Sequence, residues 1–505
     1  MWFPLFVALV VAVYVYHQLK YLYLSRKWKT QPVKKFRSYF FGLDKFALMH
    51  KLSKKGYLSD YHKEEYDKYG ETFEIGLLSK RILFTMSPEN IKAMVSTQFD
   101  DFSIGVRKKA FGPLLGNGVF VSEGETWKHS RLMMKPQFAR EQISHVQIVE
   151  PHIQVFAKHV RKYSGKLFDI QHLFHKLTFD AATEFLLGES VSSLQDESIG
   201  YDPKLMDMEE KGNFDESFTF LQRYVVLRAS LLDFYWVANS KAFRHHVDVC
   251  HSFTRYFVDK ALRLRPEEIE KKSEEGYTFL YELVKDNRDP VVLRDQILNL
   301  MLAGRSTTGS LLLSTFFELA RNPPVWERLK DEIRQHFGTG ETKEELALIT
   351  FENLKRCTYL RWVLNEALRM YPPVAKNLRE AIKDTTLPRG GGPDGESPVL
   401  IRKNSLVMFH IYSVQRLEKY YGKDAQIFRP ERWELLSKIG WAFMPFSSGP
   451  RICLGQQFAL TEASYITVRL AQMFANIETH DSTYPPRKSS NATMQYLDGV
   501  NISLW

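Results

Sequence analysis

The sequence predicts a mainly α protein with a smaller β region, preceded by one N-terminal transmembrane helix. Three observations carry this. Residues 1–16 hold no charge, and Lys20 is the first charged side chain. Between Pro88 and about Met370 most segments repeat apolar residues at helical spacing. Strand-like runs are short and few, at 72–75, 82–85, 399–401 and 406–409.

The first element is the anchor. A bilayer core takes roughly 20 apolar residues in a helix, and residues 3–24 meet that length if Lys20 snorkels outward. Tyr14, Tyr16, Tyr21 and Tyr23 cluster at its far end, where amphipathic rings favour the lipid–water boundary. A cleaved signal peptide has a basic start and a small-residue cleavage site, and neither is present. Arg26, Lys27, Lys29, Lys34, Lys35 and Arg37 follow the run, which directs the body to the cytoplasm. The glycosylation-type triplets at Asn491 and Asn501 are then chance matches. The expected division is a transmembrane anchor at 1–24, a basic juxtamembrane linker and first docking segment at 25–60, and one catalytic body at 61–505.

Composition bounds that body. It is 44% hydrophobic and 25% charged, ordinary for a globular enzyme. The net charge of +10 is partly that one basic cluster, and no other long basic stretch suits a nucleic acid. Cys250, Cys357 and Cys453 are too few and too scattered for a disulfide framework or a zinc cluster.

The helices come next. Ser87-Pro88 reads as a cap followed by proline at the first helical position. The charged stretch 265–276 reads as a solvated connection. Residues 291–321 read as one helix of roughly 46 Å, apolar nearly all round at 297–303 and therefore buried. At its centre lies Ala303-Gly304-Arg305-Ser306-Thr307-Thr308. A hydroxyl there can bond back to the carbonyl four residues earlier and leave a small polar notch. Asn322-Pro323-Pro324 closes this helix and opens another. Arg389-Gly390-Gly391-Gly392-Pro393-Asp394-Gly395 is a turn between strands.

The strongest signal is Phe446-Ser447-Ser448-Gly449-Pro450-Arg451-Ile452-Cys453-Leu454-Gly455. Cys453 offers a thiolate, which binds ferric iron and pushes electron density toward a bound oxygen. Phe446 can shield the sulfur, and Gly449 permits a turn that a side chain would block. Arg451 can pair with a heme propionate. Gly455 lets the helix that follows approach the porphyrin, with its positive end toward the thiolate. A lone cysteine is more often an inert core residue, and Cys250 and Cys357 are read that way.

This loop closely resembles the signature of the cytochrome P450 family, and the resemblance runs from about Gly70 to the end. It implies the cytochrome P450 fold and heme b, with Cys453 as the metal ligand. It implies that Glu366 and Arg369, one turn apart on a helix, are completed by Arg432 of Pro430-Glu431-Arg432-Trp433 as a structural lock. Trp127, Arg131 and Arg379 match family partners of a heme propionate. Thr307 matches the residue that helps protonate bound oxygen. The position before that threonine is usually acidic, and here it is Ser306. A serine hydroxyl only orients water, so proton delivery is expected to run through ordered water or another acid.

Leu387-Pro388-Arg389-Gly390-Gly391-Gly392, Tyr420-Tyr421-Gly422 and Gly455-Gln456-Gln457-Phe458-Ala459-Leu460-Thr461-Glu462 look like the fungal branch that hydroxylates n-alkanes and fatty acids. Val374-Ala375-Lys376-Asn377 departs from that branch. The segments 102–120, 214–235, 297–303 and 374–378 are implied to line the pocket. No dinucleotide, flavin or iron–sulfur signature is present. The resemblance therefore implies NADPH-cytochrome P450 reductase as electron donor, with Lys128, Lys135 and Arg140 as part of a basic docking face. It also implies O2 and an apolar small molecule as substrates, and a single-pass place in the endoplasmic reticulum membrane. Tailoring of a secondary metabolite stays open. So do a heme-thiolate isomerase or dehydratase that consumes no electrons, and a non-catalytic heme-binding protein.

Overall fold

The computed structural model describes residues 2–36, 38–77, 80–139, 146–163, 165–201, 214–436, 439–490 and 492–505. Arg37, Arg140 and Asn491 lie outside the described residues. The chain divides into two compact units.

The first unit is Met1–Gly105, Lys376–Gln415 and Gly440–Ile452. Its first helix, Trp2–Lys27, is long and apolar enough to cross a membrane. Its apolar side chains are exposed from Phe3 to Tyr16. Lys20 does not snorkel freely: its Nζ lies 2.7 Å from Asp384 Oδ2. The neighbouring Tyr21 ring lies under the Arg402 guanidinium at 4.4 Å.

A six-stranded sheet follows. Its spatial order is Lys34–Lys35, Thr72–Leu77, Lys80–Thr85, Leu406–His410, Lys376–Ala381 and Phe102–Ser103. The expected runs 72–75, 82–85 and 406–409 all fall in it. The strand Lys376–Ala381 was not expected, because its sequence mixes charged and apolar residues without clean alternation. The run 399–401 lies in a separate hairpin, Thr385–Gly391 with Ser397–Ile401, closed by the glycine-rich turn. Ser87 caps its helix as expected, accepting from the Asn90 N–H at 3.3 Å.

The second unit is Val106–Ala375, Arg416–Ile439 and Cys453–Trp505. Its axis is the helix Pro290–Leu319, started by Asp289, whose carboxylate accepts from the N–H groups of Val291 and Val292. It packs against Ile170–Leu187, Lys241–Leu262, Thr358–Met370 and Gln456–Met473. Phe214, Phe218, Leu221 and Val225 are fully buried in the main core, where the Phe214 ring stacks on Phe253 at 4.0 Å. These four are packing residues, although their segment was expected to line a pocket.

One expectation is corrected. Residues 265–276 are not a connection but contain the helix Pro266–Glu275. The Arg265 N–H donates to Glu268 Oε2 at 2.8 Å, a one-sided cap on the helix start that charge density alone obscured.

Candidate active site

The second unit holds Cys453, Gly455, Thr307, Ser306, Trp127 and Arg131. Cys453 is accessible, yet protein atoms crowd it closely enough that burial pushes its thiol pKa up. Two groups oppose that: a hydrogen bond from the Gly455 N–H and the charge of Arg131. Arg131 stands one turn from Trp127, its guanidinium 6.0 Å from the indole. Gly455 precedes the helix Gln456–Met473, and a side chain there would touch Phe138 at 3.4 Å.

The long helix is buried almost throughout. Between Asp295 and Ala320 only Leu302, Ala303, Gly304 and Thr307 are partly accessible. Residues 303, 304 and 307 share one helix face, so a narrow apolar stripe ends in a single hydroxyl. Thr307 Oγ1 donates to the Ala303 carbonyl at 2.6 Å, the back-bond read from the sequence. Ser306 points elsewhere. It is 3% exposed, and Gln222 Nε2 donates to its hydroxyl at 2.9 Å. The next residue back is a surprise: Arg305 is buried, pairs with Asp215 and Thr219, and lies 5.0 Å from the Phe179 ring.

Glu366 and Arg369 are both fully buried. Arg369 donates through Nε and Nη2 to Glu366 at 2.9 and 2.8 Å. Arg432 Nε reaches Glu366 Oε1 at 2.7 Å. The arginines also bond the carbonyls of Tyr421, Asp424, Ala425 and Ile427, tying residues 421–432 to the helix Thr358–Met370. Sequence reasoning missed a fourth partner: Trp433 Nε1 donates to Glu366 Oε2 at 3.0 Å. Its signal was its place directly after Arg432.

The first unit holds Phe446, Gly449, Arg451 and Arg379. Phe446 is half-buried. Gly449 has φ 72°, and a Cβ there would sit 1.9 Å from the Val95 carbonyl oxygen, so close packing as well as the turn requires glycine. Arg451 ends the short turn Gly449–Arg451 and is half-buried. Arg379 is 3% exposed and donates to the Leu378 carbonyl at 2.8 Å. Of the basic docking residues, Lys128 pairs with Glu125 at 2.7 Å, and Lys135 is exposed.

The accessible Cys453 sulfur, with the Gly455 N–H and the Arg131 guanidinium acting against the burial that raises its pKa, fits a heme iron: Cys453 would hold it through a thiolate. Comparison with known proteins points the same way. The cytochrome P450 family model matches residues 43–497. Cytochrome P450 52A12 of Debaryomyces hansenii is 50% identical over 508 residues, covering 100% of this chain and 97% of its own. Cytochrome P450 52A9 of Candida maltosa is 50% identical over 512 residues, covering 100% and 98%. Cytochrome P450 52A6 of Candida tropicalis is 52% identical over 444 residues, covering 87% and 84%. With its cysteine loop, its notched central helix and a family match across nearly its whole length, the chain belongs to the cytochrome P450 family of heme-dependent monooxygenases.

Proposed function

We propose that this protein hydroxylates a long alkyl chain, an alkane or fatty acid, at the end of an N-terminal membrane anchor. Heme b is the family's cofactor, and when bound it supplies the activation of O2 that places one oxygen atom in a C–H bond. Cys453 is the residue that would hold its iron. Trp127, Arg131, Arg379 and Arg451 would serve its propionates, while Phe446, Gly449 and Gly455 shape the loop around the sulfur. Glu366, Arg369 and Arg432 act as the lock.

The observation that carries the substrate class is the partly accessible face of Ala303 and Gly304 beside Thr307, on a helix buried almost throughout. Alkyl carbon gains roughly 25 cal/mol per Å² on leaving water to lie against it. Thr307 is the one hydroxyl on that face, positioned to hold a proton donor. Ser306, committed to Gln222, does not supply a proton itself. Cytochrome P450 52A relatives from three yeasts support the fungal branch.

In this reading residues 1–24 cross the endoplasmic reticulum membrane once, 25–60 form the basic linker, and 61–505 stand in the cytoplasm. NADPH-cytochrome P450 reductase supplies the electrons.

The test is spectral and then chemical. The reduced, carbon-monoxide-bound protein should show the red-shifted Soret band of thiolate ligation, and Cys453→Ala should lose it. A panel of alkanes, fatty acids and larger metabolites is then titrated against the ferric Soret band. Hydroxylated alkyl products that require NADPH and reductase carry the reading. Product formed without them assigns an isomerase or dehydratase instead, which the neutral Ser306–Gln222 pair would favour.

A further inference from the structure

The last turns of the helix Trp2–Lys27 border a polar cavity of about 310 Å³. Gln18 and Tyr21 form its wall on that side. Lys35, Glu74 and Arg81 reach it from the six-stranded sheet, and Arg402 from just past the strand Ser397–Ile401. All of them belong to the first unit. The sheet register explains why three of them meet. Lys35 stands opposite Glu74, and Arg81 opposite Gly76, two residues further along the same strand. Opposed residues, and residues two apart, share one face of a sheet. Lys34, one residue back, faces the other side.

The cavity carries an excess of positive charge. Arg81 forks onto Glu74, donating through Nε at 3.0 Å and Nη2 at 2.7 Å. Arg402 has no ion pair among the described residues, and its guanidinium lies 4.4 Å from the Tyr21 ring. Glu74 and Asp384 attract it, yet Glu74 is held by Arg81 and Asp384 by Lys20. Burial and the like charge of Arg81 pull this guanidinium below the ordinary arginine range. The Lys20–Asp384 pair is neutral as a whole. Lys35, Arg81 and Arg402 against Glu74 therefore leave two positive charges around one cavity. A phosphate monoester carries nearly two negative charges at neutral pH, and a guanidinium fork matches its oxygens.

The helix says where such an anion comes from. Residues 1–19 hold no Asp, Glu, Lys or Arg, and a bilayer core takes roughly 20 residues of helix. In the anchored arrangement Gln18 and Tyr21 stand at the edge of the hydrocarbon, level with the lipid phosphates. Basic pockets beside cytoplasmic helix ends hold lipid headgroups. We propose that this cavity is a headgroup site for an anionic phospholipid with a terminal phosphate, held by Arg402, Arg81 and Lys35 at the foot of the anchor. The ligand is a lipid of the membrane and not a substrate. The inference rests on the anchored arrangement and is independent of which chain is hydroxylated.

The test titrates full-length heme-loaded protein, in a non-ionic detergent, with dihexanoyl phosphatidate and dihexanoyl phosphatidylcholine, followed by calorimetry. The wild type should bind the phosphatidate about tenfold more tightly, the discrimination expected of one charge-assisted contact. Arg402→Gln should bring the ratio near unity, and Lys35→Gln should lower it severalfold. Lys34→Gln removes the same charge from the other face of the sheet and should leave the ratio as it is. If Arg402→Gln does not give the carbon-monoxide signature, the exposed Lys35 decides through its variant. A wild-type ratio near unity overturns the site. So does an equal fall in the Lys34 and Lys35 variants, which would mean diffuse attraction by the basic segment. Glycerol phosphate binding as tightly as the phosphatidate overturns the lipid assignment, since a soluble ester would then be the ligand. Sedimentation with phosphatidylcholine vesicles at high salt separates the two readings. Wild type and Arg402→Gln should both stay with the vesicles, and loss of both would overturn the anchor and this inference with it.

Discussion

Gln222 donates its side-chain amide to Ser306 at 2.9 Å, and this turns the serine away from the face that carries Thr307. The two neighbours on one helix therefore have different surroundings, a buried amide for one and an accessible stripe for the other. Thr307→Ala should raise the share of NADPH oxidised to hydrogen peroxide instead of product. Ser306→Asp should change that share too, by restoring a group that titrates. Burying its carboxyl beside Gln222 should cost about 1–3 kcal/mol of stability. Peroxide and product are measured together in one assay. An unchanged ratio in both variants removes the pair from proton delivery.

The Glu366 cluster tests stability. Glu366→Ala leaves the buried guanidinium groups of Arg369 and Arg432 without their carboxylate. The expected loss is about 3–5 kcal/mol. Trp433→Phe removes a single hydrogen bond from the same carboxylate and should cost about 1 kcal/mol. Denaturant midpoints at fixed pH rank the two, and a Trp433→Phe loss as large as that of Glu366→Ala would contradict the assignment.

Glu318 makes stability depend on pH. Burial raises its carboxyl to about 7, against hydrogen bonds from Tyr371 and Tyr484 and the charge of Arg321. Between the ordinary value of 4.5 and about 7, the folded protein holds a proton that the unfolded chain has released. Stability is therefore highest below that window and falls as pH rises through it, by roughly 3 kcal/mol for this group. Glu462, also raised to about 7 by burial, adds the same sign. Glu318→Gln should make the fall between pH 4.5 and 7 shallower. A slope identical to that of the wild type would mean that Glu318 is ionised in the folded state.

Deleting residues 1–27 should move the protein out of the membrane pellet at high salt, where the basic cluster no longer binds lipid headgroups. Sedimentation followed by immunoblotting reads this directly. Full retention in the pellet would place the membrane contact elsewhere in the chain.

Much of this was legible because it is local. Ser87 before Pro88 fixed a helix start, and the Thr307 back-bond needs only its own helix. The long helix was expected at 291–321 and lies at Pro290–Leu319. What escaped depends on residues distant in sequence. Lys376–Ala381 is a strand because Leu406–His410 pairs with it, not because of its own pattern. Arg305 looks misplaced in a buried helix until Asp215 and Thr219 come into view from another one. Asn299 and Asp295 on the long helix accept hydrogen bonds from the backbone at Phe120 and Asn117, partners far back in the chain. Gly449 was expected to serve a turn, while the closer constraint, the Val95 carbonyl, lies far back in the chain.

The pairing of Lys20 with Asp384, beside Tyr21 under Arg402, has a mechanical result. The anchor is not a loose leash; its final turns are bolted to a hairpin, so it behaves as a mast. In the proposed membrane-spanning arrangement, bilayer thickness, which sets how far such a helix leans, would bear on the tilt of that hairpin through these two contacts.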